Sequence, residues 1–113
     1  MKINRGMVVE VQLDPIRGHE QSGTRPSIVV SDSVIIADQR YELVAIVPLT
    51  TRRLTGVLYP KLAPGPTGLR FASFAMTDQI RSIDKERIVR ILGEVPTNSM
   101  RHVEEGIRQF LGL

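Results

Sequence analysis

The sequence predicts a mainly β protein: a small antiparallel barrel, closed or nearly closed, with one helix at its C-terminal end. Short apolar segments separated by turn residues recur along residues 7–95, which is the spacing of strands in small barrels. After about Thr97, apolar residues instead recur every three or four positions, as they do on one face of a helix. A chain of 113 residues has the usual length of one domain, and we expect residues 1–113 to form it.

The strands are predicted from local patterns of apolar and turn residues. In residues 7–13, valine and leucine alternate with glutamate and glutamine, which is the period-two pattern of a strand with one buried face. The proline in residues 57–62 favours an edge strand there, because proline cannot donate to a neighbouring strand. Further strands are predicted at residues 26–31, 43–49, 71–76 and 88–95. Phe71 and Phe74, within the segment 71–76, are expected to fill the core.

Helical structure is predicted at three places. Residues 34–36 accommodate a helical turn inside a loop, and Asp84 can cap a short turn through residues 85–87. The terminal helix can be capped by Thr97 or Asn98. Its apolar stripe, which we expect to pack on the barrel or a partner, comprises Met100, Val103, Ile107, Phe110 and Leu111.

The charge composition favours an anionic partner. The net charge is +3, and 12 of the 15 basic residues are arginine. Guanidinium groups match phosphate oxygens in a bidentate geometry, which suits a nucleic acid. The alternative, that these arginines are ordinary solvated surface charges, stays open. The chain has only five aromatic residues, so an aromatic stacking platform for RNA is not expected.

Several classes of protein and site are excluded by composition. Without cysteine, the chain has no disulfide and no thiolate metal site. Its apolar runs are too short to span a membrane, and residues 1–6 lack the apolar core of a signal peptide. We therefore expect a soluble, cytoplasmic protein.

The connection between the first two strands is the most informative segment. It is polar and about a dozen residues long, whereas hairpin loops usually need two to five residues, and such long loops are often functional. It contains Arg17, His19, Glu20 and Arg25. The alternative is a mobile surface loop with ordinary charges.

Three blocks of sequence carry a family resemblance. The first includes residues 17–21 (Arg-Gly-His-Glu-Gln) and 23–26 (Gly-Thr-Arg-Pro). The second is Val-Pro-Leu-Thr-Thr at 47–51, and the third is Asp-Gln-Ile-Arg-Ser-Ile-Asp-Lys at 78–85. In this order and spacing the blocks resemble those of the MazF/PemK toxin endoribonucleases, including the Kid-like branch, and the likeness covers nearly the whole chain.

The resemblance implies an SH3-like barrel of the MazF/Kid/CcdB type, a homodimer, and an antitoxin partner with an acidic, partly disordered tail. It also implies sequence-specific cleavage of single-stranded RNA without a metal or other cofactor, leaving a 2',3'-cyclic phosphate and a 5'-hydroxyl. This chemistry is feasible without a metal. A base removes the 2'-hydroxyl proton, an acid protonates the 5'-oxygen, and cations stabilise the phosphorane.

The resemblance assigns roles to residues that match the family's motifs. Arg25 would stabilise the phosphorane and donate the leaving-group proton, and Thr50 would hydrogen-bond the scissile phosphate. His19 would orient or protonate phosphate oxygens. Asp78 would be the general base, with Glu20 as the alternative base or as a partner that orients Arg25. The residues expected to bind RNA are Arg17, Gln21, Thr51, Arg52, Arg53, Gln79 and Arg81.

Each of these roles has a structural alternative. Arg25 could form a salt bridge, Thr50 could cap the end of its strand, and His19 could be an ordinary loop residue. Asp78 could stabilise its turn by pairing with Arg81.

One position departs from the family pattern. Kid-like relatives carry an arginine two residues before the aspartate, where it is thought to act as the acid, but this chain has Met76. Because methionine cannot transfer a proton, the task shifts to Arg25 and His19. Two other functions remain open: a CcdB-like gyrase inhibitor of the same fold, and an inactive RNA-binding homologue. The chain lacks the aromatic terminus expected of the gyrase inhibitor.

Overall fold

The computed structural model describes residues 1–13 and 23–113. This described part contains seven strands and two α-helices. The strands are β1 (Met7–Gln12), β2 (Thr24–Val29), β3 (Leu43–Thr50), β4 (Lys61–Leu62), β5 (Ser73–Ala75), β6 (Arg81–Asp84) and β7 (Ile88–Glu94). The helices are α1 (Ser33–Ala37) and α2 (Thr97–Leu111), and short 3-10 helices span Thr77–Gln79 and Lys85–Arg87.

The strands form one antiparallel sheet in the order β4-β5-β3-β2-β1-β7, and β6 pairs with β3 outside this path. One edge of β3 pairs with β2, while its other edge pairs with β6 along residues 43–46 and with β5 at residues 49–50. Register shifts between β1 and β7 increase the local twist and help to curl the sheet. The resulting half-barrel with a C-terminal helix confirms the predicted mainly β fold.

The core has two clusters because both faces of the sheet are covered. Along β1, Val8 belongs to one cluster while Val9 and Val11 belong to the other, as the two-residue period of a strand requires. The first cluster packs against α2 and includes Val8, Ile28, Val47, Leu49, Met100 and Val103. The second cluster packs around α1 and includes Val9, Val11, Val29, Ile36, Val44, Ile46, Ile83 and Ile88.

Helix α2 packs closely on the 3-10 helix at Thr77–Gln79. A Cβ atom at Gly106 would lie 2.8 Å from Oγ1 and 2.9 Å from Cγ2 of Thr77. Thr77 is itself buried, and its hydroxyl donates to the carbonyl of Leu58 at 2.6 Å. Because Gly106 has no side chain, α2 can pack closely on Thr77, whose hydroxyl is bonded to Leu58.

Two strands are shorter than predicted. The strand expected at 57–62 is reduced to β4, because residues 56–59 form a turn in which Tyr59 N donates to the carbonyl of Gly56 at 3.0 Å. The strand expected at 71–76 is reduced to β5. β2 begins and ends two residues before the predicted segment, and β6 was not predicted as a strand.

The predicted start of α2 is confirmed, but its predicted cap is wrong. Pro96 is the N-cap residue, and no side chain of Thr97 or Asn98 caps the helix. By contrast, the predicted cap at Asp84 is confirmed, because its side chain accepts from Glu86 N at 2.9 Å.

No helix in residues 1–13 and 23–113 is both long and apolar enough to cross a membrane.

Three apolar residues expected in packed positions are largely exposed. Ile107 is the last residue of the α2 stripe that packs on the first cluster, so Phe110 and Leu111 beyond it are 47% and 50% exposed. Phe71 was expected in the core and is 65% exposed, because it precedes β5 in a turn and Leu69 is buried instead. Phe74, with the same expectation, is half-buried.

Candidate active site

An open cleft of about 560 Å³ lies where the ends of β2 and β3 approach the 3-10 helix at Thr77–Gln79. Its walls also include Leu13, which packs against the second core cluster. One wall of the cleft therefore borders the second core cluster. The lining residues are Leu13, Arg25, Pro48, Thr50, Arg52, Leu54, Tyr59, Met76, Gln79 and Arg81.

Strand register brings the two principal candidates together. Ser27 of β2 lies opposite Pro48 of β3 in an antiparallel pair. Two residues further toward the ends of these strands stand Arg25 and Thr50. A smaller cleft of about 310 Å³ is lined by the same two residues and by Thr51. Arg25 and Thr50 are thus accessible from both clefts.

The hydroxyl of Thr50 has a hydrogen bond that leaves its proton available. Thr50 Oγ1 accepts from Arg52 N at 3.1 Å, so Thr50 does cap the end of its strand. A hydroxyl has one proton to donate besides its lone pairs. The cap and a hydrogen bond from Thr50 to a phosphate oxygen are therefore compatible.

Three arginines line the cleft without an acidic partner among the described residues. Arg25, Arg52 and Arg81 are exposed, and none of them forms an ion pair with another described residue. Away from the cleft, Arg5 pairs with Glu104, Arg40 with Asp38 and Arg90 with Glu10, at 2.6–2.8 Å. Unpaired guanidinium groups around one concavity create a positive potential that attracts an anion. Residues 1–13 and 23–113 provide no partner for the structural salt bridge that was the alternative role of Arg25.

Asp78 has a different partner from the one expected. Tyr59 Oη donates to Asp78 Oδ2 at 2.6 Å. This hydrogen bond, together with burial and the negative charge of Asp78, raises the pKa of Tyr59. Asp78 Oδ1 is buried and accepts no hydrogen bond from the described residues. The alternative pairing of Asp78 with Arg81 is wrong, because no ion pair joins these two described residues and Arg81 lines the cleft.

Two hydrogen bonds fix the position of the Tyr59 turn. The carbonyl of Leu58 accepts from Oγ1 and from N of Thr77, at 2.6 and 3.2 Å. Tyr59 therefore sits beside residues 77–79 although it is distant from them in sequence. The sequence did not identify Tyr59 as a residue of the cleft or as the partner of Asp78. Tyr59 lay within a predicted edge strand, and no local pattern links it to Asp78.

The structure brings together about half of the candidate residues. Arg25, Thr50, Arg52, Gln79 and Arg81 line the larger cleft, and Thr51 lines the smaller one. Arg53 is exposed and lines neither of these two clefts. Asp78 also lines neither cleft and accepts a hydrogen bond from Tyr59. Met76, 7% exposed, forms part of the wall. Arg17, His19, Glu20 and Gln21 lie outside the described residues.

Known proteins share this fold along their full length. Residues 4–111 match the family model described as PemK-like, MazF-like toxin of type II toxin–antitoxin system. The chain is 32% identical to endoribonuclease MazF9 of Mycobacterium tuberculosis, over 98% of both proteins. A solved endoribonuclease in complex with its cognate antitoxin, from a mycobacterial species, is 27% identical with a TM-score of 0.76, covering 98% of this chain and 96% of that one. A MazE–MazF structure from Deinococcus radiodurans is 26% identical with a TM-score of 0.81, covering 100% and 98%.

Proposed function

The chain belongs to the PemK-like, MazF-like toxin family of type II toxin–antitoxin systems, and on that premise we propose that it is a sequence-specific endoribonuclease that cleaves single-stranded RNA without a metal. The observation that carries the proposal is the meeting of Arg25 and Thr50, from two strands, in a cleft with further unpaired arginines. These groups match a substrate with a phosphate at its reacting centre.

The cleft groups suit an internal attack by the 2'-hydroxyl. When the 2'-oxygen attacks phosphorus, negative charge builds on the phosphorane oxygens, and a fixed guanidinium stabilises that charge. Arg25 would supply this contact, and Thr50 would donate its free proton to another phosphate oxygen. Arg52 and Arg81 would hold the flanking phosphates. The 5'-oxygen leaves with a proton from Arg25 or His19.

The base that takes the 2'-hydroxyl proton is a carboxylate in this scheme. The two candidates are Glu20 and Asp78. In the described geometry Asp78 Oδ2 accepts from Tyr59 and Oδ1 is buried, so direct proton removal by Asp78 would require rearrangement. In this proposal the base is therefore Glu20, the remaining carboxylate candidate.

We propose further that the toxin forms a homodimer in the cytoplasm and is neutralised by an antitoxin with an acidic, partly disordered tail. The mycobacterial relative bound to its cognate antitoxin supports an antitoxin partner. The exposed arginines of the cleft are suited to acidic side chains as well as to phosphates. Light scattering should give a mass near twice 12.6 kDa, and an active monomer at micromolar concentration would contradict the dimer.

The decisive experiment is cleavage of mixed RNA by the pure protein in excess EDTA. Cleavage should persist and leave 2',3'-cyclic phosphate and 5'-hydroxyl ends, while a 2'-deoxy substitution at the cut nucleotide should abolish it. Binding without cleavage would indicate the inactive homologue, and inhibition of gyrase without cleavage would indicate the CcdB-like alternative. Cutting of the deoxy substrate would refute internal attack.

The site itself is tested by replacing Arg25. Arg25→Ala should lower the rate on the order of a thousandfold, as expected for loss of a charged contact to the transition state. Arg25→Lys should recover little, because a point charge cannot replace the guanidinium fork. Arg101→Ala, at an exposed arginine of α2, is the matched control and should leave the rate unchanged. A folded Arg25→Ala variant with near-normal cleavage would show that the site is assigned wrongly.

A further inference from the structure

Tyr59 is the polar group of the cleft to which neither the sequence nor the proposed reaction assigns a task. We propose that Tyr59 contacts the RNA through its phenol oxygen, as a hydrogen-bond acceptor for one N–H or O–H donor next to the cut, and that Asp78 is a positioning residue that acts through Tyr59. This inference rests on the proposed endoribonuclease function. It replaces the expected role of Asp78 as general base.

The arrangement of the pair determines which residue meets the substrate. Tyr59 lines the cleft together with Arg25 and Thr50, whereas Asp78 does not line it. One carboxylate oxygen of Asp78 accepts the Tyr59 proton at 2.6 Å, and the other is buried. Asp78 is therefore bonded to the cleft-lining Tyr59 but does not line the cleft itself. The group that faces the cleft is the tyrosine.

The hydrogen bond to Asp78 also decides what kind of contact Tyr59 can make. A phenol has one proton to donate and lone pairs that accept. Because its proton is committed to Asp78, Tyr59 can only accept from the substrate. A tyrosine phenol is neutral at physiological pH, and the bond to Asp78 raises its pKa further, so the phenol does not repel the phosphates held by the neighbouring arginines.

The position of this acceptor is fixed before the substrate arrives. Thr77 makes two hydrogen bonds to the carbonyl of Leu58, the residue before Tyr59, and Gly106 of α2 packs directly on Thr77. A fixed acceptor discriminates between ligands, because a nucleotide without a donor at that point leaves the acceptor desolvated and unpaired. Tyr59 is thus a specificity-determining residue in this proposal.

The donor can come from two parts of a nucleotide. Nucleobases carry exocyclic amino groups and ring N–H groups, and the ribose carries a 2'-hydroxyl. The shared chemistry is one N–H or O–H directed at the phenol oxygen. The two sources are separated by substrate changes, since base replacement tests the first and 2'-deoxy substitution at positions flanking the cut tests the second.

The experiment compares cleavage by the wild type and by Tyr59→Phe, which keeps the ring and removes the oxygen. On a random-sequence RNA pool and on the substrate the wild type cuts best, Tyr59→Phe should lower kcat/KM by about tenfold, the value of one hydrogen bond. It should also weaken the preference for one base, or the sensitivity to one flanking 2'-deoxy substitution. Tyr41→Phe, at the other tyrosine of the chain and outside the cleft, should change neither.

Substitutions of Asp78 separate positioning from catalysis. The amide oxygen in Asp78→Asn can still accept the Tyr59 proton, so this variant should keep activity within a few fold of the wild type. Asp78→Ala should lose about as much as Tyr59→Phe, and the double variant should be no worse than Tyr59→Phe alone. Each variant is first shown to be folded by its thermal transition, and Asp78→Asn, nearly isosteric, keeps the test available if Asp78→Ala unfolds.

Three results would overturn the inference while leaving the proposed function intact. In the first, the wild type cuts RNA but the folded Asp78→Asn variant has a cleavage rate lower by about 10²–10⁴-fold, the loss typical of a missing general base. Another is Tyr59→Phe with unchanged rate and unchanged sequence preference. The third is a loss that is additive in the double variant. If the wild type itself does not cut RNA, it is the proposed function that fails.

Discussion

Replacing Gly106 by alanine should impair the cleft from a position on α2 outside it. The new Cβ would lie 2.8 and 2.9 Å from two side-chain atoms of Thr77 and 3.1 Å from the carbonyl oxygen of Val57. Ordinary contacts of this kind need about 3.5 Å or more, so the 3-10 helix at Thr77–Gln79 must shift by several tenths of an ångström. Thr77 cannot simply rotate away, because its hydroxyl is bound to Leu58.

Two opposing effects set the expected change in stability. Alanine in place of glycine inside a helix contributes about 1 kcal/mol of stability, while overpacking of a filled core costs about 1–3 kcal/mol. The net result is a loss of about 0–2 kcal/mol and a Tm lower by several degrees. Activity should fall more than stability, by about ten- to a hundredfold, because small misplacements of catalytic and binding groups are costly.

The assay measures kcat/KM for RNA cleavage alongside the thermal transition. Adding Thr77→Ser to Gly106→Ala removes the crowded Cγ2 but keeps the hydroxyl bound to Leu58, so it should restore part of the activity. Arg101→Ala, at an exposed position on the same helix, is the control. If Gly106→Ala raises Tm and cleaves RNA normally, then α2 does not position the cleft and the packing argument is wrong.

Three other outcomes are expected. Thr50→Ala should lower the cleavage rate by about ten- to a hundredfold, the range for a hydrogen bond to a charged group. Thr50→Ser, which keeps the hydroxyl, should retain most of the wild-type rate. Equal losses in both variants would exclude the hydroxyl contact. The raised pKa of Tyr59 means that its bond to Asp78 stabilises the fold at neutral pH and is lost only above the ordinary tyrosine pKa of about 10. The Tm difference between wild type and Tyr59→Phe should therefore shrink in that alkaline range. A Tm difference that persists there would contradict this stabilising role of the bond. Met76→Arg should lower Tm, because the position is 7% exposed. It should also partly restore cleavage to Arg25→Ala, because Met76 lines the same cleft. A folded double variant without any rescue would show that this wall does not face the scissile phosphate.

Local patterns in the sequence were sufficient for β1, β3 and β7 and for the main candidates of the site. Alternating residues marked β1, since burial on one face of a strand is a property of neighbouring positions. Arg25 and Thr50 were found because they belong to short motifs in the family's order. Their meeting follows from the antiparallel register of β2 and β3, which places the end of one strand beside the start of the other.

The tertiary structure decided everything that depends on residues far apart in the chain. The partner of Asp78 is not Arg81, three positions away, but Tyr59, which lies 19 residues before it. No propensity of either segment predicts that contact, because it depends on the turn at residues 56–59 and on the bonds of Thr77 to Leu58. In the same way, it is the tertiary structure that leaves Phe71 exposed and places Gly106 against Thr77. Burial cannot be read from neighbouring positions alone, since it is determined by what the rest of the molecule covers.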